Sequence, residues 1–300
     1  LFFKSARPSV SKNSSGYALW NVWDRKRNTF DLTQLITGSQ GTLALITDAL
    51  LGLEKQESHR GMLVIFLSDL DELPEIVRRV RAFEPESFES YDDNTFKLAT
   101  RFAGDFFRQM GFVDMIRLGF AFLPEIWMTV SSGVPKLVLL AEFAEKSDIE
   151  AHNKTKQAQL ALQDLSAKTL LAFGMMEEKY WKIRRESFAL LRKHVHGLRA
   201  SPFIDDIVVH PDDYPRFLPQ LYALLSQYKI MYTIAGHIGD GNFHIIPLVD
   251  LNRAEHHKTL LELTPKVYEL VASYKGSISG EHSDGIIRTP YLSLMFSSRM

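Results

Sequence analysis

Short apolar runs and amphipathic segments alternate along most of this 300-residue chain. From residue 61 onwards, apolar runs predict buried strands, and apolar positions spaced three and four apart predict helices. Several strands are joined by short turns, so the pattern predicts an α+β fold: an antiparallel sheet with helices on one face, built from two βαββαβ units. The predicted strands are 62–67, 87–92, 137–143, 207–209, 231–235 and 243–248. The predicted helices are 71–83, 94–109, 149–171, 177–194, 212–228 and 252–275.

The first 58 residues have a different pattern, rich in turns. A turn bracketed by Gly38 and Gly41 precedes the apolar residues 43–47, which predict a short strand. Glycines at such a turn let the backbone approach a ligand closely. Residues 54–60 are all polar and mark a boundary. We therefore expect one domain over residues 1–58 and a second over residues 59–300.

Composition narrows the classes of function. The net charge is −1 with no basic stripe, which argues against nucleic acid as a partner. The chain has no cysteine, so any metal must be held by His, Asp, Glu or Asn. No signal peptide and no run of 18 apolar residues is present, so we expect no membrane span and a cytoplasmic location, with peripheral attachment to the inner membrane as an alternative. The apolar start without an initiator Met and the end soon after a ligand-rich motif indicate a piece of a longer protein.

The chain's richest chemistry lies in residues 236–244, Gly-His-Ile-Gly-Asp-Gly-Asn-Phe-His. His237 and His244 bracket a glycine-rich turn between two predicted strands, so both imidazoles can face one point. Further along, Glu281 offers a carboxylate within residues 279–285. Two imidazoles and one carboxylate suit Zn²⁺, with Mn²⁺ or Fe²⁺ as alternatives, and three protein ligands leave a position for substrate. The alternative is a tight hairpin whose glycines serve only the turn.

His282 is a candidate general base beside this set. Neighbouring side chains of an extended segment point to opposite sides, so His282 is not expected to share a metal with Glu281. An imidazole titrates near neutral pH and can accept a substrate proton. A purely hydrogen-bonding role for His282 remains the alternative. Asn242 can bond substrate, orient ligands or bond its own turn.

Arg184 is a candidate carboxylate clamp. It shares an apolar helix face with Trp181, and an arginine in such surroundings requires an anion. A substrate carboxylate would satisfy it with two hydrogen bonds. The alternative is a buried salt bridge to Asp205, Asp206 or Glu142.

The motifs at residues 236–244 and 279–285, called the two late motifs below, resemble those of the FAD-linked 2-hydroxyacid oxidases and dehydrogenases. Residues 12–17 and 37–43 resemble the same family. This vanillyl-alcohol-oxidase type of flavoprotein has members that oxidise D-lactate, D-2-hydroxyglutarate and glycolate. The resemblance implies that residues 1–58 are the C-terminal part of a FAD-binding domain and that residues 59–300 are a ferredoxin-like substrate or cap domain. The large members, which carry an additional iron–sulfur region, are the most similar over 181–188, 203–209 and 281–292.

The resemblance also implies a reaction and the residues that perform it. A D-2-hydroxy acid would be oxidised to the 2-oxo acid, with hydride passing to FAD and the hydroxyl proton to His282. The divalent metal would lie on His237, His244 and Glu281, and the substrate carboxylate on Arg184 and Asn242. A quinone, a cytochrome or the iron–sulfur region would accept the electrons. The implied FAD contacts are Gly38, Ser39, Gly41, Thr42, Ile46 and Thr47.

Two departures and two competing hypotheses bear on this interpretation. Ile204 stands where some dicarboxylate-using relatives carry a lysine, so 2-hydroxyglutarate is not singled out. A glycine-rich pyrophosphate loop is missing, so the chain alone is expected to hold FAD weakly or not at all. The competing hypotheses are a non-catalytic metal- or ligand-binding α+β module and a metallohydrolase that uses the same three ligands. The flavin-like turn of residues 37–42 argues against the hydrolase.

Overall fold

The computed structural model describes residues 7–20, 22–93, 95, 133–194 and 198–297, with the side chains of 186–194 excepted. The predicted helix 94–109 therefore lies outside the described residues apart from Thr95. None of the described helices combines the length and the apolar character that crossing a bilayer requires.

The described residues form an eight-stranded sheet in which every pairing is antiparallel. The strand order is β6-β3-β5-β4-β9-β10-β7, and β8 also pairs with β10. Two short strands, β1 and β2, form a separate ribbon before this sheet. The strands are β1 Trp23–Asp24, β2 Thr29–Phe30, β3 His59–Leu67, β4 Ser87–Asp92, β5 Leu137–Glu145, β6 Lys168–Ala172, β7 Arg199–Ala200, β8 Ile207–Val208, β9 Met231–His237 and β10 Asn242–Val249.

The helices are α1 Thr33–Ile36, α2 Leu73–Arg81, α3 Asp148–Leu160, α4 Met175–His194, α5 Tyr214–Leu225, α6 Ala254–Ser273 and α7 Gly285–Arg288. Four of the described α-helices, α2, α3, α5 and α6, connect the strands in the order that two βαββαβ units require. The first unit is β3-α2-β4-β5-α3-β6. The second is β8-α5-β9-β10-α6, and its fourth strand is reduced to a bridge between Ser277 and Val208. Pairing of β4 with β9 joins the units into one sheet. The predicted α+β class is confirmed.

Most helices pack on one face of the sheet, as predicted. Their apolar residues and alternate strand residues form one continuous core. Helix α4 differs, because its Tyr180 and Trp181 pack against the opposite face beside Met62, Val64 and Phe66. The arrangement with helices on one face is therefore corrected for α4. This second face also carries the ends of β4, β9 and β10, where the candidate site lies.

Two predicted elements are wrong. The predicted helix 149–171 ends at Leu160, and Lys168–Ala172 is instead edge strand β6, paired with β3. The chain reverses between them, where Glu72 accepts hydrogen bonds from the backbone and side chain of Ser166. The predicted strand 43–47 is not formed either, because this segment has no pairing partner in the described structure and Leu45 is 96% exposed.

Candidate active site

The glycine-rich turn brings the two histidines to one point. Strand β9 ends at His237, a 3₁₀ turn follows over Ile238–Asp240, and β10 carries His244 opposite Ala235. This register places both imidazoles on the same face, with ring centroids 5.3 Å apart. Gly241 closes the turn with φ +76°, and a Cβ there would lie 1.8 Å from the carbonyl oxygen of Val209. The glycine is therefore required for the turn itself.

Glu281 meets the histidine pair as the sequence predicts. Its Oε2 lies 3.5 Å from Nε2 of His237. One ligand atom each from His237, His244 and Glu281 lie within 4.8 Å of one another. Three side chains of the preferred ligand types thus converge on a volume that one metal ion can occupy.

Buried Asp206 fixes the segment that carries Glu281. Its carboxylate accepts hydrogen bonds from the backbone N–H groups of Glu281 (3.0 Å) and His282 (2.8 Å). It also accepts from the Ser279 hydroxyl (2.8 Å) and the Asn242 amide (3.0 Å). Burial raises the pKa of Asp206, but these hydrogen bonds outweigh burial, so its pKa is lowered overall. Asp206 therefore holds the Glu281–His282 segment against β10 as a charged group.

Substitution Asp206→Asn is expected to destabilise the protein by about 1–3 kcal/mol at pH 7, because an amide NH₂ would face donors that need an acceptor. Asparagine tolerates the positive φ of +66° at this position, so the backbone stays compatible. A lowered folded-state pKa stabilises above the unfolded pKa of about 3.9, so the difference between wild type and variant should be full near pH 7 and shrink as the pH falls below about 4. Urea unfolding at several pH values measures it.

The exposed Asp212 offers a matched control for this measurement, since its side chain is 79% exposed. Asp212→Asn should change the free energy of unfolding by less than about 0.5 kcal/mol. A pH-independent difference for Asp206→Asn would contradict the charged state assigned to Asp206.

Asn242 is placed differently from the prediction. It is completely buried and donates to Asp206 and to the backbone oxygen of Ile207 (3.3 Å). Gly280 lies over it, since a Cβ there would be 2.9 Å from the Asn242 amide nitrogen. Asn242 is not among the described residues that line the site cavity. In this structure Asn242 positions Asp206, and its contact with substrate stays a prediction.

Buried carboxylates orient the imidazoles. Glu89 of β4 lies 2.5 Å from Nδ1 of His237, and Asp205 lies 3.0 Å from Nδ1 of His244. The hydrogen bond with Glu89 raises the pKa of His237. With Nδ1 engaged, Nε2 of each ring is left for a metal ion, an arrangement typical of histidine ligands. The residues therefore fit a divalent cation.

His282 lies beside the ligands rather than on the opposite side. An extended segment would separate the two side chains, but residues 279–284 bend and Ser283 has φ +61°. The rings of His282 and His244 stack with centroids 5.4 Å apart. The second oxygen of Asp205 lies 3.3 Å from Nδ1 of His282. One carboxylate therefore orients both a predicted metal ligand and the predicted base, and Asp205, His244 and His282 form a second group able to hold a metal.

These side chains line a cavity of about 890 Å³. Arginines at positions 184, 199 and 288 share its wall with the histidines and Glu281. Arg184 is buried and its guanidinium lies 3.2 Å from Glu89. A buried salt bridge is thus present, and Glu89, a partner that the sequence did not indicate, takes part in it. The cavity combines cationic groups with a possible metal position, which suits a small carboxylic acid.

A second cavity of about 980 Å³ adjoins the glycine turn of residues 38–41. Ser39 and Thr42 line it, as do Asp284 and Gly285 from the late motif. The N–H of Gly285 donates to the Gln40 side chain at 2.6 Å. The segment 281–285 therefore faces both cavities, Glu281 and His282 one, Asp284 and Gly285 the other.

The remaining predicted FAD contacts are exposed. Gly38 and Gly41 have positive φ values of +81° and +73°, and a Cβ on either would meet nothing within 4 Å. Ile46 is 67% exposed, and Thr47 follows it in the same exposed segment. Neither lines the described cavities.

Four residues that the sequence analysis did not identify as site residues contribute to the site. Glu89 and Asp205 orient imidazoles, Arg288 lines the cavity, and Lys12 contacts Glu281 at 2.5 Å. Glu89 gave one usable signal, a charged residue inside an otherwise half-apolar strand. Lys12 lies far along the chain from Glu281, and only the tertiary structure brings them together.

Known proteins share sequence similarity with most of this chain. The C-terminal domain of the FAD-linked oxidases matches residues 56–300. The chain is 26% identical over 309 residues to D-2-hydroxyglutarate dehydrogenase of Escherichia coli (strain K12), covering 98% of this chain and 28% of that protein. It is 22% identical over 270 residues to glycolate oxidase subunit GlcD of Bacillus subtilis (strain 168), covering 88% of this chain and 51% of that protein.

Solved structures show the same fold. Alkyldihydroxyacetonephosphate synthase aligns with a TM-score of 0.57 at 15% identity, over 86% of this chain and 46% of that one. A 4-ethylphenol oxidase from Gulosibacter chungangensis, in complex with isoeugenol, aligns with a TM-score of 0.53 at 12% identity, over 75% and 46%. At these identities the likeness concerns the fold alone.

Proposed function

The chain belongs to the FAD-linked oxidases, and from that premise we propose that it forms the substrate side of a flavin-dependent oxidation of a D-2-hydroxy acid to the 2-oxo acid. One observation carries the proposal: His237, His244, Glu281 and His282 converge in one cavity that arginines also line. The chain spans only about a quarter of the Escherichia coli relative, so the activity of the whole enzyme is part of the proposal.

The three ligands prepare the substrate hydroxyl for proton loss. A divalent cation held by His237, His244 and Glu281 would supply the positive charge that lowers the pKa of that hydroxyl. Zinc is the proposed ion, with manganese or iron as alternatives, because imidazole and carboxylate are its usual ligands. The buried Glu89 and Asp205 keep the two imidazoles in the tautomer that leaves Nε2 for the ion.

His282 takes the hydroxyl proton in this proposal. Asp205 engages its Nδ1, which leaves Nε2 as the accepting atom and stabilises the imidazolium that results. Arg184, whose guanidinium also pairs with Glu89, is the proposed contact for the substrate carboxylate on the cavity wall. Both terminal nitrogens of Arg288 donate instead to the backbone oxygens of Ser283 and Asp205. Bound FAD supplies the two-electron acceptor for the hydride that leaves the α-carbon.

Residues 1–58 are proposed as part of the FAD-binding domain and residues 59–300 as the substrate domain. Ser39 and Thr42, with Gly38 and Gly41 shaping the turn, are the proposed flavin contacts, and Ile46 and Thr47 remain predicted ones. Ile204 is fully buried in the core, so its position offers no contact for a second substrate carboxylate. The proposal therefore names D-2-hydroxy acids as a class. The electron acceptor stays a prediction.

Dye reduction by the flavin-loaded protein with a panel of D-2-hydroxy acids tests the proposal. We expect turnover that is lost on chelation and restored by Zn²⁺, because the ion activates the hydroxyl. Turnover that survives complete removal of metal would remove the cation from the mechanism. Tight Zn²⁺ binding without oxidation of any panel member, by protein whose bound FAD is verified by its absorbance, would favour the alternative, a non-catalytic metal-binding module.

A further inference from the structure

The segment 11–16 is hydrogen-bonded to both late motifs, residues 236–244 and 279–285. The Ser11 hydroxyl donates to the backbone oxygen of Asp240 at 2.6 Å, and the N–H of Ser14 donates to the backbone oxygen of Ser279 at 2.9 Å. The N–H of Gly16 donates to Asp284 at 2.7 Å. These contacts fix the position of the intervening Lys12, so its ion pairs are not those of a freely rotating surface chain.

Lys12 contacts only one of the two oxygens of the Glu281 carboxylate. Its Nζ lies 2.5 Å from Oε1 of Glu281 and 3.3 Å from the carboxylate of Asp240. The other oxygen of Glu281, Oε2, is the one that faces Nε2 of His237. One oxygen is therefore engaged by the ammonium while the second is directed at the proposed metal position.

We infer that Lys12 is a positioning residue that sets the metal preference of this site by holding Glu281 to ligation through a single oxygen. The inference rests on the proposed metal site. Zinc favours four-coordinate sites with few ligand atoms, whereas manganese, like calcium and magnesium, suits oxygen-rich coordination. A carboxylate released from Lys12 can bind an ion through both oxygens, which favours Mn²⁺ relative to Zn²⁺.

The charge of Lys12 also affects metal binding, but this contribution can be separated from the way in which Glu281 ligates the ion. An ammonium near the site weakens the binding of every divalent ion to a similar degree, and Asp240 offsets part of that repulsion. The ratio of the Mn²⁺ and Zn²⁺ dissociation constants cancels the shared electrostatic contribution. A change in that ratio therefore reports how Glu281 ligates the ion.

Calorimetric titration of the chain with Zn²⁺ and Mn²⁺ separately tests the inference. In Lys12→Met the ratio of the Mn²⁺ to the Zn²⁺ dissociation constant is expected to fall about tenfold or more, the usual size of effects from residues that orient ligands. Lys12→Arg should keep the wild-type ratio, because a guanidinium also donates to Oε1. Lys146→Met, at an exposed lysine, is the matched control and should leave both constants unchanged.

The outcomes separate this inference from the proposed site. An unchanged ratio in Lys12→Met, with wild-type zinc binding intact, would overturn the role of Lys12 alone. Failure of the wild-type chain to bind zinc would overturn the metal site together with this inference. Circular dichroism checks folding of each variant, and Lys12→Gln provides a second neutral side chain for the same measurement should the methionine variant not fold.

Discussion

Replacing His282 by glutamine is expected to lower kcat for oxidation of a D-2-hydroxy acid by about 10²–10⁴-fold, the usual contribution of a positioned general base. Asp205 contacts Nδ1 of His282 at 3.3 Å, so the ring is held in one orientation at the cavity wall. Glutamine preserves a polar side chain of similar reach but cannot accept a proton at neutral pH. Steady-state dye reduction by the flavin-loaded protein measures the loss.

Two readouts distinguish a base from a structural residue at this position. The free energy of unfolding of His282→Gln should stay close to wild type. Its zinc affinity should also stay close to wild type, because the proposed ion lies on His237, His244 and Glu281; a large loss would place the ion on Asp205, His244 and His282 instead. His59→Gln, at a partly exposed histidine paired with Asp148, serves as the control and should retain full activity. Wild-type kcat in His282→Gln would show that another group takes the proton.

Removal of one of the two proposed imidazole ligands should weaken Zn²⁺ binding. His244→Ala is expected to raise the dissociation constant for Zn²⁺ by more than about 100-fold, the upper range seen when only a ligand's hydrogen-bonding partner is changed. The ring lies 5.3 Å from that of His237, so its loss leaves a single imidazole at the proposed position. Calorimetric zinc titration of the chain provides the measurement.

Activity should follow zinc binding in this variant. Turnover at low Zn²⁺ concentration should disappear in His244→Ala and return in part at high Zn²⁺. His210→Ala is a suitable control, since His210 is about half exposed and lines a different cleft. Zinc affinity equal to wild type in His244→Ala would contradict the assigned ligand set and would favour a hairpin whose glycines serve only the turn.

The sequence pattern predicted most of the sheet because buried strands and amphipathic helices leave periodic traces. The apolar run 62–67 and the helical spacing of 71–83 were each recovered within a few residues. Lys168–Ala172 was mistaken for a helix because a short apolar run has no period of its own. This segment becomes a strand because the edge of β3 offers it backbone hydrogen bonds, and that edge is a property of the sheet and not of the segment.

The site residues also differ in whether a local signal in the sequence indicates them. His237, His244 and Glu281 were predicted because their residue types and glycine turns are local signals. Asp205 and Glu89 were missed as orienting groups because each acts across the sheet or across a loop. The burial of Asn242 beneath Gly280 was not predicted because it depends on where residues 279–282 fold back. The pairing of Arg184 with Glu89 was missed for the same reason, since β4 carries Glu89 to it.

By itself, the sequence determined the α+β class, the candidate ligand types and the glycine turn that presents them, since these depend on neighbours along the chain. Only the tertiary structure decided how those ligands are held: Asp206 anchors the Glu281 segment, Asp205 serves two imidazoles, and Lys12 engages one oxygen of Glu281. Such contacts join residues separated by up to 269 positions. Their energies depend on distance and burial in the folded state, and no local pattern records either quantity.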